Sequence, residues 1–134
     1  MIFFDTNVLV YATINQGDEK LALAEQVIED AIMHNHFLVS PLVISEYIFI
    51  LSKLKIVDRH HEDIALYTKY TKGSIDKDIL LPSYKLCREI DFCKNMNDAM
   101  HLKVAEQYCT KLVTFDSDFK KLQHYTNIEI EILK

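Results

Sequence analysis

Two short apolar runs in this chain end on an aspartate. Met1–Phe4 runs into Asp5, and Lys111–Phe115 runs into Asp116. Runs this short and this apolar are what strands covered on both faces look like. The stretches between them have helical spacing. Leu21, Ala24, Val27, Ile28, Ala31 and Ile32 recur three and four apart, so a helix capped by Asp18 is expected from Glu19 to about His34. Phe37–Val39 reads as a second strand. Ser40-Pro41 then supplies a cap and a first-turn proline for a helix reaching about Leu54.

The second half repeats the alternation. A helix capped by Asp58 is expected to end near Gly73. A short strand at Ile79–Leu81 follows, then a helix opened by Pro82-Ser83 and reaching about Cys93. Asn97 is expected to cap a helix from Asp98 to about Tyr108. A helical turn near Phe119–Leu122 and a strand at Ile128–Ile132 complete the chain. Strands alternating with helices predict an α/β fold, a mostly parallel sheet flanked by helices in one domain spanning residues 1–134.

Composition agrees. Of 134 residues, 49% are apolar, enough for a real core, and only two glycines and two prolines occur, too few for long linkers or many tight turns. Cys87, Cys93 and Cys109 form no C-x-x-C pair and read as reduced, mostly buried thiols of a cytosolic protein. MIFFDTNVLV has no basic leader and does not read as a signal peptide. The longest apolar run, Leu42 to Leu51, is too short to span a bilayer and contains Glu46.

Four acids stand out. Asp5 and Asp116 both follow a strand's carboxyl end, where open α/β sheets gather ligands. The ordinary alternative for Asp5 is a helix cap. Glu46 has Leu42, Val43, Phe49 and Ile50 three and four residues away, so no solvated face surrounds it. A carboxylate there must be paired, metal-bound or protonated. Asp98 stands at a helix start, where the helix dipole also favours an acid. Asp118 reads as an auxiliary acid or a cap. His101, one turn beyond Asp98, can approach a bound group, but a packed, hydrogen-bonded histidine is the commoner case. His60-His61 reads as solvated.

Carboxylates brought together repel unless a cation or protons neutralise them. Oxygen donors select hard ions such as Mg2+ or Mn2+. Such an ion suits hydrolysis of a phosphodiester by water. The net charge of -5 argues against a phosphate partner when taken alone, but setting the four acids aside leaves sixteen acids against fifteen bases. No G-x-x-x-x-G-K-[ST], G-x-G-x-x-G or G-x-S-x-G occurs, and no cysteine has a base beside it.

Asp5-Thr6-Asn7, Glu46 in its apolar helix, Asn97-Asp98-Ala99-Met100-His101-Leu102 and Thr114-Phe115-Asp116-Ser117-Asp118-Phe119, in that order and spacing, resemble PIN domains, and most of all the VapC-type toxins of type II toxin–antitoxin systems. The resemblance covers essentially the whole chain. It implies a three-layer α/β/α sandwich around a parallel sheet. It implies an Mg2+- or Mn2+-dependent endoribonuclease whose metal-binding, catalytic acids are Asp5, Glu46, Asp98 and Asp116, with Asn7 and Thr114 as polar supports and Asp118 as an auxiliary acid. It also implies tRNA or rRNA as substrate, a homodimer, a cytoplasmic location and a cognate antitoxin filling the site groove, with Val8 to Ile14 and Ile44 to Leu54 as candidate groove walls. Competing readings are a PIN nuclease of RNA processing, a catalytically silent binding module and a small-molecule phosphohydrolase. Candidate phosphate contacts are Lys53, Lys55, Arg59, Lys94, Lys103, Lys120 and Lys121, and Tyr11 and Tyr47 are candidates for stacking on bases.

Overall fold

The computed structural model describes residues 1–90 and 96–134. Four parallel strands form its sheet: β1 (Ile2–Phe4), β2 (Phe37–Leu38), β3 (Lys111–Thr114) and β4 (Glu129–Ile132), in the order β2-β1-β3-β4. Ile2 pairs with both Phe37 and Lys111, and Thr114 with Ile132. Phe3, Phe4, Leu112, Val113 and Thr114 are all buried, as expected of strands with both faces covered. The chain leaves β1 toward β2 on one side and reaches β3 on the other. The carboxyl ends of β1 and β3 therefore flank a topological switch point, the natural crevice of an open parallel sheet.

The helices are α1 (Thr6–Thr13), α2 (Asp18–Met33), α3 (Pro41–Lys53), α4 (His61–Thr68), α5 (Lys77–Glu89) and α6 (Met96–Tyr108), with 3-10 stretches at Val57–Arg59 and Ser117–Tyr125. Helix α1 packs on α2 and α3, α5 packs on α6, and the layers enclose the sheet in an α/β/α sandwich. Phe37 sits at the centre of an aromatic cluster with Phe4, Tyr67 and Tyr70. Ser40 caps α3 by accepting from the Val43 N–H, with Pro41 in the first turn.

Several expectations shift. Ile79–Leu81 is not a strand; it lies inside α5, which Asp76 caps by accepting from the Asp78 N–H. Ile79, Ser83, Leu86 and Cys87 are its buried positions, a helical spacing that the short run Ile79-Leu80-Leu81 hides. Pro82 therefore sits within the helix, not at its start, and forfeits one backbone hydrogen bond. Asn97 does not cap α6, which begins at Met96. Asp58 lies in the 3-10 turn, and α4 ends at Thr68, short of Gly73. Gly17 occupies the cap of α2, and Asp18 is its first residue. Val39 leaves β2 and forms an isolated bridge with Thr71. The expected helix end near Cys93 lies outside the described residues, as do Cys93 and Lys94. Cys87 and Cys109 are buried. No helix among the described residues is long and apolar enough to cross a membrane.

Candidate active site

The site begins with the turn from β1 into α1. Asp5 caps α1: its Oδ1 accepts from the Thr6 N–H at 2.7 Å. Its Oδ2 accepts from the Thr114 hydroxyl at 2.7 Å, so one buried carboxylate joins the ends of two neighbouring strands. Asn7 completes the tie. Its amide donates to Thr114 Oγ1 at 3.1 Å, and its carbonyl oxygen accepts from the Phe115 N–H at 3.1 Å. Thr114 Oγ1 also accepts from the Asp116 N–H at 3.0 Å, which turns Asp116 toward the same end of the sheet. Asp116 in turn caps the 3-10 stretch, accepting from the Asp118 N–H at 2.9 Å. The cap and the ligand readings of Asp5 are compatible, because each oxygen accepts one of these hydrogen bonds and keeps a second acceptor position.

Two helices complete the ring of acids. Asp98 comes from the first turn of α6 and Glu46 from the middle of α3. Asp5, Glu46, Asp98 and Asp116 line one groove of about 360 Å3, together with Thr6, Asn7, Val10, Tyr11, Gln16 and Ile50. One edge of one sheet gathers all four. They are spread around the groove and not drawn to a point. Among the described residues, no three acidic, histidine or cysteine side chains already form an ion cage.

Glu46 is the most heavily bonded of the four. Its Oε1 accepts from the Thr6 hydroxyl at 2.6 Å and from His101 Nε2 at 2.7 Å, and its Oε2 from the Asn97 amide at 2.9 Å. Burial pushes this carboxyl up. The hydrogen bond and charge of His101 outweigh that, with help from Thr6 and Asn97, and hold it down at about 2. Burial pushes His101 down, yet the hydrogen bond to Glu46 and the nearby Asp5, Glu46 and Asp98 charges raise it overall. Asp5 is raised, chiefly by burial. Asp98 is pushed up to about 7 by burial and then by the charges of Asp5, Asp116 and Glu46 against the opposing pull of His101. A carboxyl raised first by burial and then by like charges beside it is the environment in which a bound cation would be stabilising. The donors, all hard oxygens apart from a histidine already committed to Glu46, fit Mg2+ or Mn2+ better than zinc.

The remaining candidates fall elsewhere. Asp118 is exposed and gives the site only its backbone N–H. Lys53, Lys55, Arg59 and Lys120 are exposed, and Lys103 pairs with Glu106 at 3.0 Å; none of them lines the groove. Lys120 and Lys121 line a separate shallow hollow with His124 and Tyr125. Tyr47 is core, its hydroxyl bonded to that of Thr13, whereas Tyr11 does face the groove. Of the proposed groove walls, Val8, Leu9 and Val10 are buried, as are Ile44, Tyr47 and Leu51, so α1 offers less apolar surface than expected. Ile48, Phe49 and Leu54 are exposed. Sequence reasoning passed over Gln16 and the Lys20 ammonium 5.2 Å above the Tyr11 ring. It also underrated His101. The only local signal was a histidine one turn after Asp98.

The sequence model of the PIN domain family matches residues 2–125. No curated protein matches the chain. Among the solved structures that share its fold are two from toxin–antitoxin systems. One is a chain of the VapBC2 from Rickettsia felis bound to a DNA fragment from their promoter, with a TM-score of 0.71 and 20% identity over 100% of both chains. The other belongs to a toxin–antitoxin complex from Klebsiella pneumoniae, with a TM-score of 0.67 and 22% identity over 97% of this chain and 100% of that one.

Proposed function

We propose that this chain, which belongs to the PIN domain family, is a divalent-metal-dependent endoribonuclease and the toxin of a toxin–antitoxin pair. The observation that carries the nuclease reading is the groove itself. Acids from the end of β1, the middle of α3, the start of α6 and the end of β3 line one crevice at the switch point. The residues that would hold the cation are drawn from Asp5, Glu46, Asp98 and Asp116, with Asn7 and Thr114 fixing the strand ends and Asp118 capping behind them. Mg2+ or Mn2+, when bound, supplies positive charge to a phosphate and acidifies water.

The chain's own residues set the rest. The tie of Thr114 to Asp5, Asn7 and the Asp116 N–H holds the Asp5 and Asp116 carboxylates in fixed relation before any ligand arrives, which lowers the cost of ordering them. Tyr11 offers a ring face beside the acids for a base. In the reaction, a water oxygen forms a bond to phosphorus while the bond to the 3′ oxygen breaks. The carboxylates give the water's proton somewhere to go, and the 3′ oxygen takes up a proton as it leaves. The products are a 5′-phosphate and a 3′-hydroxyl. Lys53, Arg59, Lys103 and Lys120 lie outside the groove and would serve only more distant phosphates.

The toxin reading is supported by likeness of fold to chains of two toxin–antitoxin systems, over essentially their full length. Three exposed apolar side chains on and just after α3, Ile48, Leu54 and the 65% exposed Phe49, offer contact points for an antitoxin helix. On this reading tRNA or rRNA is the substrate, the protein acts in the cytoplasm, and a homodimer is the working unit. The test is cleavage of RNA with Mg2+ or Mn2+, its loss in EDTA, and sequencing of the RNA ends after brief induction of wild type and Asp98→Asn. Cyclic-phosphate ends would sink the mechanism, because they arise from attack by the RNA's own 2′-hydroxyl. Growth unaffected by induction without the neighbouring gene would remove the toxin reading and leave an RNA-processing nuclease.

A further inference from the structure

The hydrogen bonds around the four acids divide them into unequal classes. A carboxylate has roughly four acceptor positions. Glu46 has three of them taken: two on Oε1, from Thr6 at 2.6 Å and His101 at 2.7 Å, and one on Oε2, from Asn97 at 2.9 Å. Asp98 receives no hydrogen bond from the described residues. Asp116 accepts one from the Asp118 N–H, on Oδ1, and so keeps Oδ2. Asp5 has two positions taken, one on each oxygen, from the Thr6 N–H and the Thr114 hydroxyl, both at 2.7 Å. A cation competing for Glu46 finds one position left, on Oε2, of a side chain held on three sides.

His101 is built to hold it. The imidazole is 1% exposed, it lies 5.7 Å from the Phe3 ring, and its Nε2 faces Glu46 at 2.7 Å and Asp5 at 3.8 Å. Only an N–H at Nε2 can point at two carboxylates, so the proton sits there. Nδ1 is buried with no partner among the described residues, which offer the ring's other edge nothing to turn toward. Among the described residues, the one strong polar contact of this buried ring is the one that fixes Glu46.

We propose that His101 is a positioning residue that keeps Glu46 off the cation, so that the direct ligands are drawn from Asp5, Asp98 and Asp116 and Glu46 acts from one step away, on water or on the RNA. The inference rests on the nuclease reading of the groove and refines it.

The test uses Mn2+ alone on the full-length chain, followed by calorimetry and by the electron paramagnetic resonance of the bound ion. Asp98→Asn is expected to weaken Mn2+ binding by about tenfold or more, and Glu46→Gln to change it by less than about threefold. Glu46→Gln weakening binding as much as Asp98→Asn would overturn the inference and leave the metal site standing. A wild-type protein that binds no Mn2+ would overturn both. Wild type that binds Mn2+ yet cuts no RNA would overturn the nuclease reading alone, with the ligand assignment still decided by the two variants. His101→Leu, which frees Glu46 toward the ion, is then expected to lower kcat about tenfold or more, to leave KM within about threefold and to tighten Mn2+ binding by more than about threefold. His101→Gln, whose amide can place an N–H where Nε2 stands, is expected to recover most of the rate. A folded His101→Gln as poor as His101→Leu would count against positioning. Where His101→Leu does not fold, Glu46→Gln and His101→Gln carry the test between them.

Discussion

The Thr114 hydroxyl donates to Asp5 Oδ2 across 2.7 Å, joining residues 109 positions apart at the ends of adjacent parallel strands. The same oxygen accepts from Asn7 and from the Asp116 backbone. One buried atom therefore sets the relation between two of the four acids.

Thr114→Val keeps the shape of that side chain and removes its oxygen. Three groups lose a partner, so a loss of about 1–3 kcal/mol in stability is expected, measured by urea unfolding. Cleavage should fall further than stability accounts for, because Asp116 loses its orientation. Thr114→Ser should recover both. A Thr114→Val protein with wild-type activity would show that the tie is dispensable.

Without metal, the acids should make stability depend on pH in a definite direction. Asp98 sits at about 7 in the fold against an ordinary value of 3.8, so its contribution is fully present below about 4 and is lost as pH rises toward 7. Asp5 and His101 are raised as well and push the same way. Glu46, held at about 2, contributes above its ordinary 4.5 and loses that contribution as pH falls toward 2. Metal-free protein is therefore expected to melt at a higher temperature at pH 5 than at pH 8, with a smaller difference in Asp98→Asn. Adding Mg2+ at pH 8 should raise the melting temperature of wild type and leave Asp98→Asn nearly unmoved. Parallel pH curves for the two proteins would contradict the crowding of the acids.

Tyr11 presents a ring to the groove, 4.5 Å from Phe115 and under the Lys20 ammonium. Removing it in Tyr11→Ala should weaken RNA binding by about 1–3 kcal/mol, the usual size of a base-stacking loss, while Tyr11→Phe should change little. Binding is best measured with the Asp98→Asn protein in EDTA, where no cleavage intervenes. Equal loss in Tyr11→Phe would assign the contact to the hydroxyl and not to the ring.

Phe49 is exposed on α3 and is absent from the lining of the groove. Phe49→Asp should leave the fold and RNA cleavage close to wild type and weaken capture of the antitoxin from co-expressed extract. Unchanged capture would move the partner's footprint away from α3.

The alternation of strands and helices, the strand-end position of Asp5 and Asp116 and the isolation of Glu46 among apolar neighbours were all legible in the chain. They depend on periodicity and on local apolar runs, which are properties of neighbours in sequence. Ile79–Leu81 misled because three apolar residues in a row carry no period, and only burial of Ser83, Leu86 and Cys87 on the same side identifies the helix. The helix α1 was passed over in part because its apolar residues read as a surface, whereas packing on α2 and α3 takes them into the core.

What the sequence determined by itself was which acids to suspect and which end of the sheet they would share. Only the tertiary structure decided how each is held. Glu46 meets Thr6 and His101 across 40 and 55 residues, and Asp5 meets Thr114 across 109. Hydrogen bonds over such separations leave no periodic trace in the chain, because their geometry exists only once the strands and helices have packed.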